Sequence, residues 1–190
     1  MDRSREFQAS LAVIGPVDAG KSTLVGHLLA KCNLVPQRQM ERAETFANEL
    51  GRRSCKYAFY CDRAGQERER GITMEGSYHY LSFNSPTRYM LHDLPGHPDF
   101  MKTFVRGVSQ ADAVILVVPP LIYNCDITGH GDIKQQVVAA SAFGIRQMIV
   151  CINMMDRSDT KYGERVYQEA VRKLSKLLKR FGYKSSQIDF

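Results

Sequence analysis

Gly15-Pro16-Val17-Asp18-Ala19-Gly20-Lys21-Ser22 fits G-x-x-x-x-G-K-[ST] without a gap. The apolar run Leu11-Ala12-Val13-Ile14 precedes it, and Lys21–Cys32 follows with Leu24, Val25, Leu28 and Leu29 at three- and four-residue spacing. A buried strand, a glycine loop and a helix, in that order, are the context a phosphate-binding loop requires. Glycines let the backbone wrap closely, so that successive N–H groups point inward at phosphate oxygens. The helix N-terminus adds partial positive charge. In such a loop Lys21 reaches the terminal phosphates and the Ser22 hydroxyl sits on Mg²⁺.

Outward from this loop, strand-like and helix-like segments alternate. Ala113–Val118 is β-branched and apolar on both faces, which suits a central strand, and Met148–Ile152 is similar. Tyr78, Tyr80 and Phe83, then Tyr89-Met90-Leu91, read as two strands joined by a turn at Asn84-Ser85-Pro86. Helices are predicted over Gln37–Leu50, Asp132–Phe143 and Tyr162–Phe181. The last carries an apolar stripe of Val166, Ala170, Val171, Leu174, Leu177, Leu178 and Phe181. Its other face holds Arg172, Lys173, Lys176, Lys179 and Arg180, a solvated face or an RNA contact. The alternation predicts one α/β domain with a mostly parallel sheet and helices on both faces. No repeat and no Gly/Ser/Pro-rich linker divides it.

Composition bounds the class. The chain has 190 residues, 44% hydrophobic and 24% charged, which excludes a disordered or low-complexity chain. Twenty-six Lys and Arg against 20 Asp and Glu leave a net charge of +6, favouring polyanionic partners such as nucleotides or RNA. Cys32, Cys55, Cys61, Cys125 and Cys151 are odd in number and never spaced C-x-x-C, so neither a disulfide framework nor a zinc cluster is expected. The longest apolar stretch, Ala113–Ile122, is too short to span a bilayer, and MDRSREFQAS lacks the apolar core of a signal peptide. A cytoplasmic protein with no membrane partner is therefore expected.

Three further clusters refine the chemistry. Asp93 follows the Tyr89–His92 strand and precedes Leu94-Pro95-Gly96, where a carboxylate can hold Mg²⁺ through water. The glycine N–H can meet a γ-phosphate, and glycine also permits a hinge when that phosphate leaves. His97 comes next, in place to orient an attacking water or to pack the loop. Thr73, in Arg68-Glu69-Arg70-Gly71-Ile72-Thr73, either starts a strand or completes Mg²⁺ coordination as a triphosphate sensor. Asn153-Met154-Met155-Asp156 follows the Met148–Ile152 strand. It is either a turn or a reader of guanine, whose edge gives two N–H donors to one carboxylate.

Together these residues resemble the translational GTPases of the elongation factor 1-alpha family, which includes release-factor and ribosome-rescue GTPases. The family loop G-H-V-D-x-G-K-S-T is matched from Gly15 to Thr23, with Pro16 in the His position. Glu67–Thr73 (ERERGIT), Asp93–Phe100 (DLPGHPDF) and Ser109–Ala113 (SQADA) also match. Weaker similarity runs through Lys56–Phe59, Phe143–Asp156 and Phe181-Gly182-Tyr183. The resemblance implies a Ras-like G domain that binds GTP or GDP with Mg²⁺ and hydrolyses GTP on the ribosome while delivering aminoacyl-tRNA. It assigns Gly15, Asp18, Ala19, Gly20, Lys21, Ser22, Thr23, Asp93, Gly96, Asn153, Met154 and Asp156 to the nucleotide. It assigns Ser22, Thr73 and Asp93 to the metal, and His97, Lys21 and Thr73 to catalysis. Residues from about Leu34 to Gly71 correspond to the long, mobile first switch. Partners implied are the ribosome, aminoacyl-tRNA or a tRNA-mimicking factor, and a nucleotide-exchange factor.

Three departures bear on function. The family reads guanine with N-K-x-D, but position 154 is Met, which covers a base yet donates no hydrogen bond; weaker nucleotide affinity is expected. The segment after Pro119, including Pro119-Pro120 and Gly131–Gln136, keeps little of the pattern. The sequence reaches Phe190 where the family's last strand and final guanine loop begin, and neither β-barrel domain is expected within residues 1–190. A single G domain over residues 1–190 with an incomplete last strand is thus expected. Alternatives are the G domain of a release or rescue factor, a degenerate G domain that binds partners with little turnover, and an adenine-nucleotide enzyme of sulfurylase type.

Overall fold

The computed structural model describes residues 7–52, 55–61, 73–82, 88–121, 132–157 and 159–190. Phe83 and the Asn84-Ser85-Pro86 turn, Glu67–Ile72 of the ERERGIT stretch, Ile122, Cys125 and Gly131 lie outside the described residues.

Strand β1 (Phe7–Ile14) lies inside a six-stranded sheet with β2 (Ser77–Leu81), β3 (Arg88–Asp93), β4 (Ala113–Val118), β5 (Gln147–Ile152) and β6 (Ile188–Asp189). The order is β2-β3-β1-β4-β5-β6, and every pairing is parallel except β2 with β3. This is the mostly parallel α/β sheet that the alternating pattern predicts. The parallel ladders bring the C-terminal ends of β1, β3, β4 and β5 to one edge, where open α/β sheets bind ligands. Strand β6 pairs with β5 at Met148↔Ile188 and Ile149↔Asp189.

Alternation along the strands separates two core clusters. One face of the sheet, with Ala12, Ile14, Val114, Leu116, Val118, Met148 and Val150, packs against α4 (Met101–Val108), α5 (Asp132–Ala142) and α6 (Glu164–Arg180). The other, with Val13, Leu91 and Val117, packs against Val25 and Leu29 of α1 (Lys21–Lys31) and Cys61 of α3 (Lys56–Cys61). Helix α2 (Gln37–Glu49) joins α3 in a small satellite core of Ala43, Ala47 and Phe59. Among the described residues of the span corresponding to the first switch, two stretches are thus helical.

Several elements differ from expectation for physical reasons. Strand β1 runs four residues further back than the apolar run, because polar Ser10 is buried with its hydroxyl 3.1 Å from His92 Nε2. Helix α6 starts at Glu164 rather than Tyr162, since Lys161 (φ 44°) and Tyr162 (φ 53°) are left-handed and Gly163 is extended. Helices α3 and α4 were not anticipated, although Met101, Phe104, Val105 and Val108 carry the i, i+3, i+4, i+7 spacing. The basic face of α6 is largely solvated, and Lys173 pairs with Glu169 one turn earlier at 2.9 Å. No helix among the described residues is long and apolar enough to cross a membrane.

Candidate nucleotide site

The loop from Gly15 to Gly20 leaves the C-terminal end of β1 and enters α1 at Lys21. Gly20 caps the helix with φ 86°, a left-handed turn that glycine makes at no steric cost. No side chain caps this end, so the first-turn N–H groups and the positive helix terminus are left to an anion.

Around the loop lies a cleft of about 460 Å³. Of the residues assigned from sequence, Asp18, Gly20, Lys21, Ser22, Thr23, Thr73, Gly96, His97, Asn153, Met154 and Asp156 line it. Gly15, Ala19 and Asp93 do not. Ala19 packs its methyl into the α1 side of the core, and its carbonyl accepts from Asn153 Nδ2 at 2.9 Å. Asp93 is fully buried at the end of β3, paired in register with Val13. Cys55 and Ala58, which sequence reasoning missed, also line the cleft.

Lys21 is 6% exposed, and its ammonium donates to Pro16 O at 2.8 Å. Burial pushes its pKa below the ordinary lysine value, while the carboxylates of Asp93, Asp18 and Asp132 pull the other way. Ser22 Oγ and Thr73 Oγ1 stand 3.1 Å apart, so the two hydroxyls assigned to a metal share one place despite being 51 positions apart in sequence. Two hydroxyls are hard oxygen donors of the kind that suits Mg²⁺, which keeps several waters, while the buried Asp93 carboxylate acts on the charge of Lys21. No cluster of three or more His, Cys, Asp or Glu side chains forms a metal cage among the described residues.

His97 is turned partly on its own loop. Its Nδ1 accepts the Asp99 amide N–H at 3.2 Å and caps a short 3₁₀ turn, Pro98–Phe100. In the neutral ring that bond places the proton on Nε2. Gly96 is pressed against the phosphate loop: a Cβ there would lie 2.5 Å from Lys21 Nζ and 2.8 Å from Gly15 O.

On the far wall Met154 is left-handed (φ 60°), and its Cε comes within 3.6 Å of where a Cβ on Gly20 would stand. Its thioether therefore covers the loop. Behind it, buried Thr160 faces three carbonyls with its hydroxyl, those of Met155 at 3.0 Å, Arg157 at 3.1 Å and Met154 at 3.5 Å. Gln136 of α5 is likewise buried and bonded to the phosphate loop. Neither was singled out from sequence as a site residue. For Gln136 a signal existed: it interrupts the buried stripe Ile133, Val137, Ala140, and a polar side chain on an apolar face needs a partner.

Comparison with known proteins agrees with this geometry. The elongation factor Tu GTP binding domain family matches residues 8–190. Elongation factor 1-alpha of Tetrahymena pyriformis is 39% identical over 192 residues, covering 100% of this chain and 44% of that protein. The Sulfolobus acidocaldarius elongation factor 1-alpha is 40% identical over 190 residues, covering 98% of this chain and 43% of that protein. The chain thus spans less than half the length of these relatives. Among solved structures, sup35 complexed with GDP superposes with a TM-score of 0.65 at 28% identity, covering 97% of this chain and 36% of that one. The Ski7 GTPase-like domain of S. cerevisiae bound to GTP shares the fold with a TM-score of 0.87 at 19% identity, covering 98% of this chain and 42% of that one. With the phosphate loop, Thr73, Gly96 and the Asn153–Asp156 loop gathered at one cleft, these matches show that the chain belongs to the elongation factor Tu-type GTP-binding domains of translational GTPases.

Proposed function

We propose that this domain binds GTP and GDP with Mg²⁺ and hydrolyses GTP as a conformational switch in translation, in the manner of elongation factor 1-alpha. The observation that carries the reading is the meeting of Ser22, Thr73 and Gly96 at the Lys21 end of the phosphate loop. In this family of reactions the protein contributes positioning and electrostatics rather than covalent chemistry.

Each residue then has a task. The backbone N–H groups of the loop and the α1 terminus cradle the phosphates. Lys21, whose burial lowers its pKa while three nearby carboxylates partly offset that cost, sets its amine group against the terminal phosphates. Ser22, Thr73 and Asp93 hold Mg²⁺, which when bound neutralises charge on the phosphate oxygens. Thr73 and Gly96 are the two groups ordered by a γ-phosphate and released without it. His97, with Nδ1 occupied by the Asp99 amide, presents Nε2–H to orient a water. Asn153 ties the base-facing loop to Ala19, and Asp156 accepts the two N–H donors of guanine.

The whole protein's partners follow as part of the same proposal: the ribosome, and aminoacyl-tRNA or a factor that mimics it. An exchange factor would reset the switch. A second reading is favoured by Met154: without an amine at that position the domain holds nucleotide weakly and serves as a binding module with little turnover. One experiment decides. Titrate the chain with GDP and GTP in Mg²⁺, then measure turnover with and without His97→Ala. The switch reading expects micromolar or tighter binding, and slow turnover that drops with the substitution; absence of binding refutes it, and binding without turnover supports the module.

A further inference from the structure

Gln136 makes contacts that the proposed reaction does not use. Its Oε1 accepts the Gly15 N–H at 2.6 Å, and its Nε2 donates to Gly15 O at 3.1 Å and to Gly96 O at 3.4 Å. The orientation of the amide is fixed chemically, because a backbone N–H must face the oxygen end. The side chain is 2% exposed and rises from α5, whose neighbours Ile133, Val137 and Ala140 are locked in the core. One end of the bridge is therefore rigid. The other end, Gly96, sits in irregular chain between β3 and the 3₁₀ turn.

We infer that Gln136 is a positioning residue that holds the second-switch glycine in its inward, triphosphate-competent place, and so sets the preference for GTP over GDP. The inference rests on the switch reading above. Gly96 stands close against Lys21 Nζ and the Gly15 carbonyl, where a terminal phosphate would meet its N–H. Its carbonyl accepts from the Gln136 amide at 3.4 Å. Held at its oxygen, the Gly96–His97 peptide plane fixes the position of the Gly96 Cα, and so keeps the preceding Gly96 N–H beside the phosphate loop. Diphosphate makes no demand on Gly96, so loss of the bridge weakens triphosphate binding more than diphosphate binding. A group that merely braced the loop through Gly15 would affect both nucleotides alike.

The test measures dissociation constants for GDP and a non-hydrolysable GTP analogue in Mg²⁺, using the unsubstituted chain, Gln136→Met and Gln136→Glu. Methionine keeps the length and removes both hydrogen-bonding ends. Glutamate keeps the shape and the acceptor for Gly15 N–H, but as a carboxylate it offers no donor to the Gly15 and Gly96 carbonyls. For each variant the ratio of GTP-analogue to GDP affinity is expected to fall about threefold to tenfold, the worth of one or two hydrogen bonds. A measurement on the unsubstituted chain stands beside it: the Gln136 side-chain amide resonances are expected to differ between the two nucleotide complexes. Equal losses for both nucleotides, an unchanged ratio, or identical amide resonances would overturn the assignment while leaving nucleotide binding intact. Failure of the unsubstituted chain to bind either nucleotide would defeat both readings together.

Discussion

Replacing Gly20 by alanine strains the phosphate loop and the base-facing loop at once. Gly20 has φ 86°, and holding an L-residue in that left-handed region costs about 1–2 kcal/mol. The added Cβ would stand 2.5 Å from Asn153 Nδ2, so that amide must swing away. Its 2.9 Å bond to Ala19 O is then lost, a further 0.5–1.5 kcal/mol or so. The sum is about 1.5–3.5 kcal/mol, equivalent to a rise in dissociation constant of roughly tenfold to a few hundredfold. Without nucleotide the half-buried loop has more room to relax, so the cost falls mainly on the bound state. Isothermal titration of GDP in Mg²⁺ reads the affinity, and thermal melting of the nucleotide-free protein verifies that the variant is folded. A folded Gly20→Ala protein whose GDP affinity lies within about threefold of the original would refute the reasoning.

Other outcomes follow from the same geometry. Gly96→Ala places a Cβ 2.8 Å from Gly15 O and 2.9 Å from the Pro16 carbonyl carbon, so the second switch must withdraw. At an overpacking cost of about 1–3 kcal/mol, affinity for a GTP analogue should fall roughly fivefold to a hundredfold while GDP affinity stays nearly constant. Met154→Lys adds an amine where the thioether now covers the loop, and calorimetry should show GDP binding about tenfold tighter; no gain would show that Met154 is not what limits affinity. Thr160→Val removes the hydroxyl that serves the Met155 and Arg157 carbonyls, costing about 1–3 kcal/mol and lowering the melting midpoint by several degrees. His92 is fully buried, and burial lowers its pKa below 6.5. Below that pH the unfolded chain takes up a proton that the folded protein refuses, so stability falls as pH drops until the folded pKa is reached. Melting curves between about pH 5 and pH 7.5 should show this slope in the original protein and a flatter one in His92→Gln.

Sequence reading went furthest where local chemistry and fold agree. The strand, glycine loop and helix around Gly15–Ser22 are each dictated by residues within a few positions, and β4 begins and ends where its apolar run does. Asp93 and Asn153 were legible because each directly follows a strand-like run whose end must reach the loop. The strand order was not legible, since nothing local states that β1 lies between β3 and β4. Helix α3 is six residues long and rich in aromatics, too short for periodicity to declare itself. Gln136 and Thr160 escaped because their roles depend on partners brought near by the fold: Gly15 is 121 positions from Gln136. A buried polar side chain announces that it needs a partner but not which one.

The antiparallel ladder at the sheet margin has a kinetic consequence. Ser77 pairs with Asp93, so the segment carrying Thr73 is stitched to the strand that ends at Asp93. Four peptide steps separate Thr73 from that stitch, a reach of about 14 Å at full extension. On that side the threonine is tethered by a short leash rather than by a free loop. Its search for Ser22 after release is confined to a small volume, and closing so short a tether takes on the order of tens of nanoseconds. On the proposed switch reading, re-engagement of Thr73 is then timed by arrival of nucleotide, and hardly at all by the chain finding its way home.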